Sequence, residues 1–232
     1  MPGKAVAVLP NATTLSSLTL GMLAIVAVND QQYPLAAALI VSGALLDMAD
    51  GQLALRLGAI SHLGKELDSL ADMVTFGVAP GILTYHLLLD AGVVWPLAIL
   101  VSLVFVAAGG FRLARFNTLP SDRSGYCKGM TIPTASLFVL SGSFWQQWTI
   151  EPWWPAAVVA VSCLMVSSLP YPKPRHFLKL PRLSRAGLLM VAWACWVAMG
   201  WQAVPFGLCS LYALSGPVLW FCTTFRCRVR RR

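Results

Sequence analysis

Apolar stretches near or above the roughly 18 residues that a membrane-spanning helix needs recur along the whole chain. The sequence is 57% hydrophobic and only 11% charged, about half the charged share of a soluble globular protein. No hydrophilic block is long enough to fold alone, so we predict one domain over residues 1–232, an all-α polytopic membrane helix bundle. We predict about eight transmembrane helices, at residues 12–29, 34–56, 67–89, 93–111, 132–149, 154–170, 186–202 and 206–222.

The basic residues give an independent check of these spans. Under this assignment all 17 Lys and Arg fall on one side of the membrane. The charged residues in the opposite loops are all acidic, namely Asp30, Asp90 and Glu151. The positive-inside rule then predicts that both termini are cytoplasmic and that the protein is integral to a bacterial-type inner membrane. The net charge of +8 indicates orientation and attraction to anionic lipid rather than nucleic-acid binding.

Four of the nine acidic residues lie close together in the sequence, at the ends of the second and third predicted spans. They are Asp47, Asp50, Asp68 and Asp72. Residues three or four apart share one face of a helix, so each pair forms a stripe, and the two antiparallel helices can bring both stripes together. Small residues continue these stripes, namely Gly51, Ala54 and Gly64.

The helical rise places these carboxylates inside the membrane boundary, Asp72 by roughly 10 Å and Asp47 by roughly 14 Å. A bare carboxylate there costs about 2.5–3.5 kcal/mol, and four together repel one another. Oxygen ligands without His or Cys favour Mg²⁺, Mn²⁺ or Ca²⁺, and four carboxylates can hold two ions that clamp a phosphoryl group. The alternative is a structural ion-pair network, for which Arg56 and Lys65 are the nearest cations, both at the rim.

The segment "DMADGQLALRLGAISHLGKELDSLAD" resembles the signature of the CDP-alcohol phosphatidyltransferases, D-x-x-D-G-x-x-A-R, eight residues, then G-x-x-x-D-x-x-x-D. The matching positions are Asp47, Asp50, Gly51, Ala54, Gly64, Asp68 and Asp72. Leu55 stands where the family has arginine, and Arg56 follows it, turned by about 100° on a helix.

Further motifs resemble the membrane-embedded phosphatidylserine synthases of that family. They are "LPNATTLSSLTLG" at 9–21, "LDSLADMVTFGVAP" at 67–80, "RLARFN" at 112–117, "GMTIPTA" at 129–135 and "LMVSSLPYPK" at 164–173. The catalytic motif thus spans 47–72 and the motif-bearing core about 9–175, whereas the C-terminal spans and basic tail, 186–232, carry no recognisable motif.

The resemblance implies that CDP-diacylglycerol donates its phosphatidyl group to the hydroxyl of L-serine, releasing CMP. It implies Mg²⁺ or Mn²⁺, in two ions, on the four aspartates, with Asp72 also the base for the serine hydroxyl. It further implies a CDP-lipid site formed by Asn11, Thr14, Gly51, Ala54, Arg56 and Gly64. Asn11 and Thr14 could instead cap the first helix.

Three cations between the fourth and fifth spans are candidates for binding the acceptor's carboxylate or a phosphate, namely Arg112, Arg115 and Lys128. Their alternative role is positive-inside charge alone. Within the family, glycerol 3-phosphate, inositol phosphate or choline could replace serine as the acceptor. The protein could also form a homodimer. From another class, a cation transporter also places carboxylates in the membrane, but usually builds its site near the midplane from broken helices and repeats.

Overall fold

The computed structural model describes residues 8–57, 61–118, 126–143, 153–172 and 203–229, and these are mostly helical. The helices are α1 (Val8–Asn29), α2 (Tyr33–Leu57), α3 (His62–Asp72), α4 (Ala79–Asp90), α5 (Trp95–Thr118), α6 (Ile132–Ser143), α7 (Trp153–Val166) and α8 (Ala203–Val229). A π-helical turn, Met73–Val78, joins α3 to α4 without a break, and the two short strands are β1 (Tyr126–Lys128) and β2 (Pro170–Pro172). The predicted span at 186–202 lies outside the described residues.

The helices confirm a helical membrane protein. Three of them are long and apolar enough to cross a bilayer, at Asn11–Asn29, His62–Asp90 and Trp95–Thr118. Shorter apolar helices lie at Tyr33–Ala49, Ile132–Ser141, Trp153–Val166 and Gly207–Phe221. Each of these segments falls within or overlaps a span predicted from hydropathy. The number of eight spans and the cytoplasmic position of the termini stay predictions.

Two helices on which the candidate site depends differ in length from the predicted spans. The third begins at His62 rather than 67, because Ser61 caps it by accepting a hydrogen bond from the Gly64 N–H at 2.9 Å. The fourth extends to Thr118 instead of ending near 111, so the "RLARFN" motif is helical. Hydropathy alone underestimates the length of both helices, because the turns that extend them beyond the predicted spans are polar.

The predicted span 154–170 is too long at its C-terminal end. Helix α7 ends at Val166, and after three residues without regular structure the chain forms β2, which pairs antiparallel with β1. The Cα partners in this ribbon are Tyr126 with Pro172, Cys127 with Tyr171, and Lys128 with Pro170. The ribbon therefore ties the segment before α6 to the segment after α7.

The last described helix continues through Pro217, although proline is unfavourable inside a helix. The fully buried Tyr171 side chain of β2 lies against it and donates its hydroxyl to the Ala213 carbonyl at 2.9 Å. Gly216 makes room for that ring, since a Cβ there would lie 2.4 Å from Tyr171 Cζ. Helix α8 is thus packed on the ribbon.

Small residues let α1, α2 and the π turn approach closely just behind the acidic residues. Thr75 donates to the Ser17 carbonyl at 3.1 Å, and the Ser17 hydroxyl donates to the Gly43 carbonyl at 3.1 Å. A Cβ on Gly21 would lie 2.6 Å from Thr75 Oγ1, and one on Gly43 would lie 2.7 Å from Thr75 Cγ2. Small side chains at helix interfaces allow such close backbone approach in membranes.

Candidate active site

The structure brings three of the four predicted aspartates together. Asp47 on α2 and Asp68 and Asp72 on α3 each offer a carboxylate oxygen, and these atoms all lie within 4.8 Å of one another. All three side chains are half-buried, and the Asp47 carboxyl is within hydrogen-bonding reach of both others. Carboxylates this close must share protons or cations. An all-oxygen donor set of this size fits a hard divalent cation.

The remaining residues of the signature on α2 are only partly described. The backbones of Asp50, Ala54 and Arg56 are helical, but their side chains lie outside the described part of the structure. Gly51 is exposed, and a Cβ placed on it would meet no atom within 4 Å. The helical spacing puts Asp50 one turn beyond Asp47, and its role as a ligand stays a prediction.

Asn11 and Thr14 lie on the face of α1 that contacts the start of α3. A Cβ on Gly64 would lie 3.1 Å from Asn11 Oδ1 and 3.0 Å from Ser61 Oγ, so glycine leaves room for both. Thr14, one turn along α1, is buried. Because α1 already includes Val8, neither Asn11 nor Thr14 is its N-cap, and the capping alternative is wrong.

Arg112 is buried on α5, with 8% of its surface exposed. Its guanidinium lies within electrostatic range of Asp72 and 5.7 Å from the centre of the Phe116 ring. Its Nε–H is buried and has no hydrogen-bond partner among the described residues. An unmatched buried donor on a cation is costly unless a ligand supplies an acceptor, so the geometry favours an anion-binding role.

Arg115 makes a different set of contacts from those expected. It donates to four backbone carbonyls: Val166 at 2.7 Å, Lys128 at 2.8 Å, Ser167 at 2.9 Å and Met165 at 3.3 Å. These bonds join α5 to the end of α7 and to the ribbon, whereas the Lys128 side chain is exposed. The predicted acceptor-binding roles of Arg115 and Lys128 therefore stay predictions, and the observed contacts of Arg115 are structural.

Gly129 belongs to the same corner. Its φ is +80°, in the left-handed region, and a Cβ there would lie 2.4 Å from the Met165 carbonyl oxygen and 2.6 Å from Arg115 Nη2. Only glycine fits both the backbone conformation and the space. The first residue of the "GMTIPTA" motif is thus explained by packing around Arg115.

Sequence reasoning missed two groups of residues beside the site. Asn117, the last residue of "RLARFN", donates to the Ser69 hydroxyl at 2.8 Å and so ties α5 to α3 next to Asp68. Cys127 and Tyr212 both lie within electrostatic range of Arg112. The "RLARFN" motif could have identified Asn117 as a site residue, whereas nothing in the sequence near Tyr212 indicates a site.

Comparison with known proteins agrees with the motif. The family model described as CDP-alcohol phosphatidyltransferase matches residues 7–209. A CDP-diacylglycerol–serine O-phosphatidyltransferase of Mycobacterium tuberculosis is 34% identical over 200 residues, covering 81% of this chain and 68% of its own. The enzyme of the same name from Bacillus subtilis is 36% identical over 173 residues, covering 74% and 92%.

An archaeal relative extends the comparison. An archaetidylserine synthase of Methanothermobacter thermautotrophicus is 34% identical over 171 residues, covering 71% of this chain and 70% of its own. The matched region includes all the aspartates of the signature, and three of them meet in the structure with carboxylate oxygens within 4.8 Å of one another. By the extent of this match and by these residues, the chain belongs to the CDP-alcohol phosphatidyltransferase family.

Proposed function

We propose that this protein transfers the phosphatidyl group of CDP-diacylglycerol to the hydroxyl of L-serine, giving phosphatidylserine and CMP. The observation that carries the proposal is the convergence of Asp47, Asp68 and Asp72 beside the buried Arg112. The carboxylates suit a cation-bound diphosphate, and the arginine suits an anionic substrate group. The names of the bacterial and archaeal relatives both include serine, which favours it as the acceptor.

Asp47, Asp50, Asp68 and Asp72 would hold the divalent cations, Mg²⁺ or Mn²⁺ and two in number. When bound, such ions neutralise the diphosphate and the charge that develops on the CMP leaving group. Arg112 would bind the acceptor or a phosphate, a role that Arg115 and Lys128 could share. Asn11, Thr14, Gly51, Ala54, Arg56 and Gly64 would line the CDP-lipid site.

Asp72 is the residue we assign to the proton transfer. The serine hydroxyl oxygen attacks the phosphorus that carries diacylglycerol, its proton passes to Asp72, and the bond from that phosphorus to the oxygen of CMP breaks. CMP leaves with the electron pair of that bond. The π turn directly after Asp72 packs on α1 and α2, so the carboxyl is held on a rigid element.

The membrane arrangement that suits this reaction has eight spans, both termini in the cytoplasm and the site open to the cytoplasmic side of a bacterial-type inner membrane. The acyl chains of the donor would then stay in the bilayer, while its nucleotide and the water-soluble acceptor reach the carboxylates from the cytoplasm. The confinement of all 17 basic residues to one predicted side supports this orientation.

The acceptor can be identified directly. Purified protein in lipid or detergent would be incubated with CDP-diacylglycerol, Mg²⁺ or Mn²⁺, and serine, glycerol 3-phosphate, inositol phosphate or choline in turn. Mass spectrometry of the lipid product should find phosphatidylserine, formed only with serine. A product formed with another acceptor would keep the reaction class but replace serine, and no lipid product with any acceptor would refute the transferase.

A further inference from the structure

Helix α8 brings Tyr212 into the surroundings of Arg112. This residue lies beyond 209, where the family match ends, and in a segment without motifs. Its hydroxyl forms a hydrogen bond with the Thr131 side chain and lies within electrostatic range of both Arg112 and Cys127. The described part of the C-terminal region therefore contributes a polar group within electrostatic range of Arg112, which is itself within electrostatic range of Asp72.

The hydroxyl of Tyr212 lies at the end of a short series of hydroxyl groups. Thr131 and Thr134, both in the "GMTIPTA" motif, have their Oγ1 atoms 2.6 Å apart. In one of the two donor arrangements that this spacing allows, Thr134 donates to Thr131 and Thr131 donates to Tyr212, so the Tyr212 O–H is the terminal donor of the series. Hydroxyls bonded in series polarise one another, so this last donor suits an anion.

The position of Tyr212 is fixed by its neighbours rather than by the hydroxyls alone. Its ring lies 5.3 Å from that of Tyr171, centre to centre, and the adjacent Ala213 carbonyl accepts the Tyr171 hydroxyl at 2.9 Å. Gly216, one turn further along α8, leaves the space for Tyr171. A donor held in this way costs little additional ordering when a ligand binds.

We propose that Tyr212 is a specificity-determining residue, which together with Arg112 binds the carboxylate of the amino-acid acceptor. The proposal rests on the proposed function, because it concerns the acceptor of that reaction. Arg112 supplies a buried Nε–H that has no partner among the described residues, and Tyr212 supplies a second donor. A carboxylate has two oxygens and can accept from both.

The dimensions of serine fit this assignment. Its hydroxyl oxygen and its carboxylate carbon are three bonds apart, roughly 3–4 Å. A serine whose hydroxyl meets Asp72 therefore places its carboxylate near that residue, and Arg112 is the buried cation within electrostatic range of Asp72. The other anion of the reaction is the donor's diphosphate, and kinetics can distinguish the two.

The test compares Tyr212→Phe with wild type, using full-length purified protein, CDP-diacylglycerol and L-serine. We expect the KM for serine to rise about tenfold, as for the loss of one hydrogen bond to a charged group, with kcat and the KM for CDP-diacylglycerol unchanged. Inhibition by L-alanine, which has serine's carboxylate and amine but no hydroxyl, should weaken by the same factor.

The matched control is Tyr171→Phe, which removes the neighbouring hydroxyl that holds the α8 backbone. This variant should have a lower Tm but a wild-type KM for serine, because the ring at position 171, which Phe keeps, still packs against Tyr212. An equal rise in the serine KM in this control would show that loosening of α8 is responsible and would overturn the proposal. So would an unchanged serine KM in Tyr212→Phe, or a rise confined to the KM for CDP-diacylglycerol.

The outcomes also separate this inference from the function on which it rests. Wild-type protein that makes no phosphatidylserine would refute the proposed function itself. Wild-type protein that makes phosphatidylserine, with a Tyr212→Phe variant of unaltered serine KM, would refute only the role of Tyr212.

Discussion

At the scale of single residues, the proposed cation site rests on three aspartates whose carboxylates are costly to hold so close together. Asp47, Asp68 and Asp72 are half-buried and their oxygens lie within 4.8 Å of one another, so their negative charges repel unless protons or cations intervene. Replacement of one by asparagine removes a ligand charge while it preserves the shape of the side chain. Such variants therefore separate cation binding from folding.

Asp68→Asn is expected to lower turnover by at least ~100-fold and to weaken Mn²⁺ binding. CMP release and electron paramagnetic resonance of added Mn²⁺ would measure the two effects, and excess chelator should abolish wild-type turnover. Asp30→Asn is the control, since Asp30 is exposed in the turn directly after α1. Full activity of Asp68→Asn, or of wild type in excess chelator, would contradict a cation role.

The aspartates could be predicted from the sequence because their spacing repeats within one short segment on two neighbouring helices. The surroundings of Arg112 could not, because Tyr212 comes from a distant part of the chain and the fold of the segment that carries Cys127 has no signal in the sequence. For Arg115, the sequence reveals a cation three residues after Arg112 on the same helical face. It does not reveal that four backbone carbonyls accept from Arg115, three around the end of α7 and one from Lys128 of β1.

At the scale of elements, hydropathy predicts the apolar part of each helix well, but it misses the polar turns that extend α3 and α5. The added turns of α3 and α5 depend on a serine cap and on contacts with other elements, neither of which affects hydropathy. The ribbon of β1 and β2 was not predicted at all. Its strands have three residues each, and β2 has proline at both ends, a composition that argues against a strand when it is taken alone.

The contact of α2 with the π turn gives a test at this scale. Gly43→Ala would place a Cβ 2.7 Å from Thr75 Cγ2, and overpacking of this kind costs about 1–3 kcal/mol. We expect a lower Tm and lower activity, because Asp47 lies one turn from Gly43 and Asp72 lies three residues from Thr75. Thermal unfolding and CMP release would measure both.

The compensating change is Thr75→Ser, which removes the offending methyl group and keeps the hydroxyl that donates to the Ser17 carbonyl. Combined with Gly43→Ala, it should restore most of the lost stability and activity. A double variant no better than Gly43→Ala alone would mean that the close approach of α2 to the π turn does not support the site.

At the scale of the whole molecule, the proposed topology links the charge distribution to the access of substrates. Reporter fusions after residues 30, 90, 151 and 203 should locate outside, and fusions after 62, 122 and 178 inside. The physical reason is the confinement of every basic residue to one set of loops. Two successive fusion sites that report the same side would contradict the eight-span arrangement.

Phosphatidyl transfer to serine at the aspartate site is tested most directly by the stoichiometry of serine-dependent CMP release from CDP-diacylglycerol. The measurement compares purified wild type with Asp72→Asn. The wild type should release one CMP for each phosphatidylserine formed, only when serine and Mg²⁺ or Mn²⁺ are both present. Asp72→Asn should form neither product above background. Serine-independent CMP release, or equal rates of phosphatidylserine formation in the two proteins, would contradict phosphatidyl transfer to serine at this site.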